Sequence, residues 1–569
     1  MNHVMNGTNN QLTGFSVLTQ HPLTFSLLEF DMDVPCLPLD ANVYNENDVA
    51  IVMELVSSTG RKVRAEGFYY EEYLFDHELV LVGKAETAPR FRIRVNLPEA
   101  GEWRYTVTLR VRGEERDVLT DNIAVEQNTR RSRLLRVEPN ARRVFATEED
   151  GPLFMVGENL CWHEPNKDFH LYCKYMSESM ADLAKNGCNI VRVWDYMDGA
   201  AKIKKTYTTM YQDSSAKWDR LFETAEQNQV YVSMVLIQHG EISPTIDGRW
   251  NDSVWHVSRG GPITEAEEFF TDPRCVEGFK NYLRYVVSRW GYNEFVIWEL
   301  CNEIEHSLAM CKGHLNEVRA WIREMANYIR KKDVCPHLVT NSAGIPSVPA
   351  ALQDDLDFMY FHLYNHVNGD VVRELLVTSQ RMFNCPVLVG EVGFDGPSGR
   401  TYGDETGAYM TKEMLSVHQG CWTCLMSGGA GTAMTWFWGR VRNLDGHWIF
   451  KPVAEMSKRI PWQDPAMRSI DHSVFTLQNH QLNSMGYQGD TYLYLWFYDN
   501  HHMPINRAET TFEGETAAVT MPNGTYAVSW YDTRSGECVC EQTETVTGNI
   551  ITLKMPVFSK DIFVSVVKR

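Results

Sequence analysis

The sequence predicts an α/β chain, a (β/α)8 TIM barrel flanked by an N-terminal and a C-terminal β-sandwich domain. Three observations lead there. Between residues 140 and 465 eight short apolar runs alternate with longer amphipathic stretches, and such alternation builds a parallel sheet backed by helices. Before and after that region the apolar period changes to two, with Gly, Pro and Asn turns between the strands. The chain has 569 residues, enough for one barrel and two further domains of ordinary size.

The N-terminal unit is placed at 1–135. Its strands are VAIVMELVSS, FRIRVNLP and WRYTVTLRV, and LPEAGEWRYTV reads as a turn feeding a strand. TRRSRLL, residues 129–135, is a basic connector. The barrel is placed at 136–465. LFMVGEN, NIVRVW, VYVSMVLIQH, FVIWELCNE, HLVTNSA, DFMYFHLY, PVLVGEVG and TAMTWFW are its strands. Helices are expected at 171–186, 218–228, 275–290 and 315–331. A doubly wound sheet would alternate in the same way, but no Gly-rich nucleotide fingerprint follows the first strand. Residues 466–569 return to strands in TYLYLWFYD, GTYAVSWYDT, NIITLKM and DIFVSVV, joined by Asn/Gly turns.

Composition excludes some partners. A net charge of −20 opposes nucleic-acid binding, which needs clustered Lys and Arg to neutralise phosphates. No run reaches the ~18 apolar residues of a membrane span. The opening MNHVMNGTNNQLTG is polar and has no signal-like apolar core. The thirteen cysteines are odd in number and scattered, which suits reduced thiols and a cytoplasmic location. Cys421 and Cys424 form a lone CxxC, and zinc would want a second pair of ligands. No cofactor is expected, and a homo-oligomer is compatible with the sequence.

Barrels of this kind carry their chemistry at the C-terminal ends of the strands. Those ends here collect Glu158-Asn159, Trp162, Arg192, Trp194, His239, Glu241, Asn302-Glu303, Asn341, His362, Tyr364, Glu391, Trp436 and Trp438. Alone, each has a bland reading. A Glu after an apolar strand is most often a helix N-terminal charge, and a Trp or His is most often core. His362 and His366 stand at a spacing that could ligate a metal, yet no His-x-His on the first strand supports one.

Together they suggest more. Glu303 and Glu391 fall on the fourth and seventh strand ends, across one barrel mouth. Hydrolysis of a glycoside needs such a pair, one acid for the leaving oxygen and one carboxylate to attack or to activate water. Arg192 and Tyr364 beside Glu391 would keep it ionised, leaving Glu303 as the proton donor. Asn302 is placed to bond a sugar 2-hydroxyl. Trp162, Trp250, Trp255, Trp436 and Trp438 are candidate platforms for sugar rings.

At these residues the chain resembles the retaining clan A glycoside hydrolases, glycoside hydrolase family 5 above all. The resemblance lies in Arg192 of NIVRVW, His239 of IQHGE, Asn302-Glu303 of WELCNE, His362 and Tyr364 of FHLYN, Glu391 of VLVGEVG, and Trp436 or Trp438 of TWFWG. It implies that Glu303 is the acid/base and Glu391 the nucleophile. HGEIS, WNDSVWHVSRGGPI, EEFFTDP and RYVVSRWGYNEFVIWELCNE resemble a bacterial branch of the clan. In that branch one sandwich precedes the barrel and another follows it. Where relatives tend to read Asn-Pro-Tyr-Asn, this chain has Asn251 to Trp255 as NDSVW. The implied function is double-displacement cleavage of a β-linked glycoside or short oligosaccharide, exo-acting. The alternatives are an endo-acting β-mannanase or β-glucanase, and a non-catalytic carbohydrate-binding barrel. The N-terminal sandwich is expected either to close one end of the cleft or to serve as a spacer or dimer contact.

Overall fold

The computed structural model describes residues 11–163, 169–196, 200–344, 355–364, 369–393, 413–477, 479–502 and 509–569. The N-terminal unit is two antiparallel four-stranded sheets. One joins Thr13–Val17, Leu27–Asp33, Arg90–Asn96 and Phe68–Tyr70; the other joins Glu114–Val125, Gly101–Val111, Val49–Ser57 and Lys62–Glu66. In GEWRYTVTLRV the buried side chains are Trp103, Tyr105, Val107, Leu109 and Val111, while Arg104 and Arg110 face solvent. That period of two places one face of the strand in the sandwich core.

The barrel strands pair in parallel and in chain order. Gly157–Asn159, Ile190–Trp194, Tyr231–Val235, Val296–Glu299 and Val339–Thr340 form one run. Ser342–Ala343, Met359–Tyr364 and Val387–Gly393 form the next. The fifth strand is thus broken at Asn341. TAMTWFW and the Gly431 before it make single parallel bridges rather than a ladder, Met155 to Gly431 and Val392 to Thr435, and these close the ring. A helix already begins at Trp438. Residues 136–153 form a small antiparallel sheet under the barrel. Its Phe145 packs with Met155, Ile190, Tyr231, Ile297 and Phe358, which fills the bottom and leaves the chemistry to the opposite end.

Helices Tyr172–Lys185, Gln212–Asn228, Pro273–Trp290, Leu315–Lys332, Gly369–Phe383 and Leu415–Met426 surround the strands. Asp272 caps the third by accepting from Arg274 N, and Pro273 supplies a fitted first φ. The second begins at Gln212 rather than at Trp218. Its first turn is polar because it meets the N-terminal sandwich and the next barrel helix: Gln212 Nε2 donates to the Tyr44 hydroxyl at 3.1 Å and to the Tyr285 hydroxyl of the Pro273–Trp290 helix at 2.8 Å.

That sandwich docks on the flank of the barrel. Arg94 reaches Asp219 at 2.8 Å, and Arg289 grips the same carboxylate at 2.6 Å. Lys332 binds Glu66 at 2.8 Å. These contacts fall on the Gln212, Pro273 and Leu315 helices. The sandwich also meets the loop that leaves the second strand, where Asn42 Nδ2 donates to Thr208 O at 3.1 Å and the Tyr44 hydroxyl to Met210 O at 3.2 Å.

The C-terminal unit stacks a six-stranded sheet against a three-stranded one. It packs on the Leu415–Met426 helix, with Trp422 against Trp496 and Phe563 at ring distances of 6.3 and 5.5 Å. Cys421 and Cys424 lie within that helix, both buried, and none of the thirteen cysteines forms a disulfide among the described residues. Burial pushes the Cys424 thiol up to about 12. Among the described residues no helix is long and apolar enough to cross a membrane.

Candidate active site

Arg192 organises the mouth. It is fully buried at the end of the second strand. Its Nε and Nη2 bind both oxygens of Glu299 at 2.7 Å each. Nη2 also donates to Asn302 Oδ1 at 2.6 Å, and Nη1 to Glu391 Oε1 at 2.6 Å. Tyr364 closes the second side of Glu391, its hydroxyl donating to Oε2 at 2.5 Å. A bulge aims Glu391 into this nest: Phe361 pairs with Val389, but His362 pairs with Glu391, skipping Gly390. A Cβ at Gly390 would stand 2.9 Å from the Tyr360 ring, so the skipped residue is one without a side chain.

Glu303 sits in left-handed backbone, with φ 42° and ψ 55°. L side chains enter that region at a cost. Ser342 holds it there, its hydroxyl accepting from Glu303 N at 3.1 Å. The turned backbone carries the carboxylate over the barrel axis. Glu303 Oε1 stands 2.8 Å from His362 Nδ1, and Glu391 Oε2 stands 3.4 Å from the same nitrogen. One oxygen of Glu303 and one of Glu391 lie within 4.8 Å of each other. These two and His362 are the group of donor atoms among the described residues that could gather on a cation, and Arg192 beside Glu391 opposes that use. His366 lies outside the described residues.

Asn302 has a settled orientation. Its Oδ1 takes Arg192 and also Ser342 Oγ at 3.2 Å, so its Nδ2 turns to His239 Nδ1 at 3.3 Å. His239 Nε2 faces Asp247 Oδ2 at 3.3 Å.

Burial governs the titrations. It pushes His362 down to about 4, so this ring is neutral at ordinary pH. The Glu391 carboxyl is raised above its ordinary range by burial and by the charge of Glu303, and His362, Arg192 and Tyr364 offset this only in part. The two contacts expected to hold Glu391 ionised are therefore present, with desolvation working against them. Burial would lower His239, but the bond to Asp247 and the charge of Glu303 carry it upward. Glu305, two residues past Glu303 and largely buried, is pushed up to about 7 by burial.

The aromatic candidates separate. Trp162, Tyr196, Trp436 and Trp438 pack into one wall over the first, second and eighth strand ends. Trp162 stacks on Tyr196 at 4.7 Å and meets Trp436 and Trp438 edge-on at 5.6 and 5.1 Å. Trp162 and Trp436 remain partly open, whereas Trp438 is buried and its Nε1 donates to Trp162 O at 3.2 Å. Trp436 is thus the eighth-strand ring that faces the cleft. Trp255 corrects the sequence reading. It has no exposed surface and packs on Phe269 and Phe279, so it is core of the long loop and cannot meet a sugar. Trp250 is also buried, its Nε1 bonded to Thr264 O at 2.9 Å.

Sequence reading missed Glu299, Ser342 and Asp247. Glu299 left one signal, a carboxylate inside the apolar run VIWEL. Ser342 and Asp247 left none.

A barrel mouth with two facing carboxylates, one of them gripped by a buried arginine, and an aromatic wall beside them define the barrel of a glycosidase. Residues 155–424, most of the barrel, match the family model described as cellulase, glycosyl hydrolase family 5. The chain is 21% identical to mannan endo-1,4-beta-mannosidase 8 of Oryza sativa subsp. japonica over 45% of its own length and 78% of that protein. It is 25% identical to mannan endo-1,4-beta-mannosidase 1 of Solanum lycopersicum, over 34% of its own length and about half (52%) of the relative. A crystal structure from Bacteroides vulgatus, provisionally titled a glycoside hydrolase, shares the fold over 97% of this chain and 100% of that one, with TM-score 0.65 and 14% identity. A glycoside hydrolase family 5 structure from the same organism covers 77% of this chain and 93% of its own, with TM-score 0.51 and 15% identity.

Proposed function

We propose that the chain is a retaining β-glycosidase that cleaves short β-linked manno-oligosaccharides from one end. The carboxylate spacing carries the stereochemical part. Oxygens of Glu303 and Glu391 come within 4.8 Å. A retaining pair stands roughly 5–5.5 Å apart so that the nucleophile reaches the anomeric carbon, and an inverting pair needs roughly 6.5–9.5 Å for a water.

In this reading Glu303 gives its proton to the glycosidic oxygen while a Glu391 oxygen bonds to the anomeric carbon, and the aglycone leaves as an alcohol. Water then attacks the same carbon of the glycosyl ester. Glu303 takes the water proton, and Glu391 returns as a carboxylate. Arg192 and Tyr364 hold Glu391 in place through both steps. Asn302 Nδ2 bonds the 2-hydroxyl, a contact that strengthens as the sugar approaches its oxocarbenium form. His362, neutral, offers one Nδ1 position between the two acids.

The named relatives support a β-mannoside. The compact wall of Trp162, Tyr196 and Trp436 supports action at a chain end, because its rings pack on one another and serve one sugar. A polymer groove would space its platforms along the chain. The endo-acting β-mannanase is the second reading, favoured by the rice and tomato relatives. Product analysis on mannohexaose decides: mannose released from one end supports exo-action, and mid-chain fragments support the alternative. Glu391→Gln should abolish turnover in a folded chain, and azide should revive Glu391→Ala while giving an azide adduct of opposite anomeric configuration. A Glu391→Gln chain as active as the parent would sink the assignment.

A further inference from the structure

The proposal rests on the glycosidase reading and concerns a residue outside the two acids. Arg192 has five N–H donors and no contact with solvent. Two of its bonds, from Nε and Nη2, go to the two oxygens of Glu299 at 2.7 Å each. This bidentate grip fixes the guanidinium plane. Only in that plane can Nη1 meet Glu391 while Nη2 meets Asn302. We infer that Glu299 is a positioning residue of the reaction: it sets the plane of Arg192, and its negative charge offsets part of the positive charge that Arg192 presents to Glu391.

The charge count around the hub makes the second half quantitative. Among the described residues Arg192 is the guanidinium bonded to Glu299 and Glu391. Three carboxyls face it or adjoin Asn302, namely Glu299 from the fourth strand, Glu391 from the seventh and Glu303 at the fourth strand end, and a fourth, Glu305, lies beyond Glu303 and is pushed up to about 7 by burial. Burial also acts on the thiols, the phenol and the imidazole packed around the hub. Burial pushes the Cys161 and Cys301 thiols and the Tyr360 hydroxyl up, and pushes His362 down. The third strand contributes Ser233, whose hydroxyl lies 3.5 Å from Glu299. Beyond Asn302, His239 faces Asp247 at 3.3 Å and Glu303 at 3.7 Å, and both carry it upward. With Glu299, Glu391 and Glu303 all ionised, the positive charge of Arg192 would stand against three negative ones in a water-poor site. Such a site retains a proton, and the reaction needs one proton on the pair. Without Glu299, Arg192 would neutralise Glu391 more fully, and the pair would lose that proton more readily.

The test uses the full chain with Glu299→Gln, which keeps shape and one acceptor but removes the charge, and Glu299→Asp, which keeps the charge but shortens the reach. The first readout needs no substrate. Ionisation of Glu391 is followed by carboxyl carbon NMR in glutamate-labelled protein, with the signal assigned through Glu391→Gln. In Glu299→Gln the Glu391 titration should fall by about one to two pH units, the range expected when a charge this close is removed. The pH profile on an aryl β-mannoside should shift to lower pH by a similar amount. Glu299→Asp should titrate like the parent and lose turnover about tenfold, as the arginine plane loosens. An unmoved Glu391 titration in Glu299→Gln overturns the inference. If that variant does not fold, a displaced titration in Glu299→Asp overturns it, and an unmoved one with reduced turnover supports it. A parent chain inactive on every β-glycoside would refute the proposed function, and the NMR titration would still decide the role of Glu299.

Discussion

Tyr364→Phe tests the nest around Glu391 most directly. The hydroxyl donates to Glu391 Oε2 at 2.5 Å, and the next group to that oxygen is His362 Nδ1 at 3.4 Å. Phe keeps the ring and removes the donor, so Oε2 is left with no close partner. A hydrogen bond to an ionised carboxylate contributes about 1.5–3 kcal/mol. At about 1.4 kcal/mol per unit, losing it should raise the ionisation of Glu391 by about one to two pH units. Glu391 must be ionised to attack, so the acid limb of kcat/KM should move upward by that amount. Rates well below the limb would fall about 10- to 100-fold, with a smaller change on the plateau. The assay is a pH profile on an aryl β-mannoside, with circular dichroism to confirm the fold. An acid limb that stays in place would refute the reasoning. The sign is opposite to that expected for Glu299→Gln, and the two variants together separate loss of a donor from loss of a countercharge.

Further outcomes follow from the same geometry. Trp436→Ala should raise KM while leaving the melting temperature nearly unchanged, measured by kinetics and calorimetry on one preparation. Trp255→Ala should do the reverse, costing about 3–5 kcal/mol of stability by emptying a core site while the surviving folded enzyme keeps its KM. Asp219→Asn should cost about 3–5 kcal/mol in denaturant titration, because it leaves Arg94 and Arg289 buried without their shared anion. In the parent, burial would raise Asp219, but Arg289 and Arg94 hold it well below the usual carboxylate range; its share of stability is present above the ordinary Asp range and is lost only in strong acid. His362 is depressed to about 4 from 6.5. The unfolded chain therefore takes up its proton first, and the site's share of stability, full above about pH 6.5, should decline as pH falls to about 4. His362→Gln should flatten that part of the stability–pH curve.

The strands were legible because a barrel strand is buried on both faces and reads as an unbroken apolar run, as in VIW or VLV. The rim was legible because polar residues end those runs. What stayed hidden depends on partners far along the chain. Glu299 and Arg192 are 107 residues apart, and nothing local distinguishes an anchored carboxylate from a misplaced one. Ser342 looks like any serine after a strand until the left-handed turn at Glu303 is seen beside it. Trp255 and Trp436 carry the same ring, and only packing separates a core filler from a cleft wall. The Gln212 turn failed the apolar-period test because its partners are the Tyr44 and Tyr285 hydroxyls and not a greasy surface. TAMTWFW has strand composition but bridges at single points, since Trp438 turns away into a helix.

The backbone at Glu303 has a consequence for how this protein could be hardened. A left-handed non-glycine residue stores about 1–2 kcal/mol, and here it is stored at the proposed proton donor itself. Glycine would relieve it. A Glu303→Gly chain is therefore expected to lose turnover while matching or exceeding the parent in heat resistance. Any selection for thermal endurance alone would drift toward an inert barrel, so a search for tougher variants of this enzyme has to screen for activity in the same round.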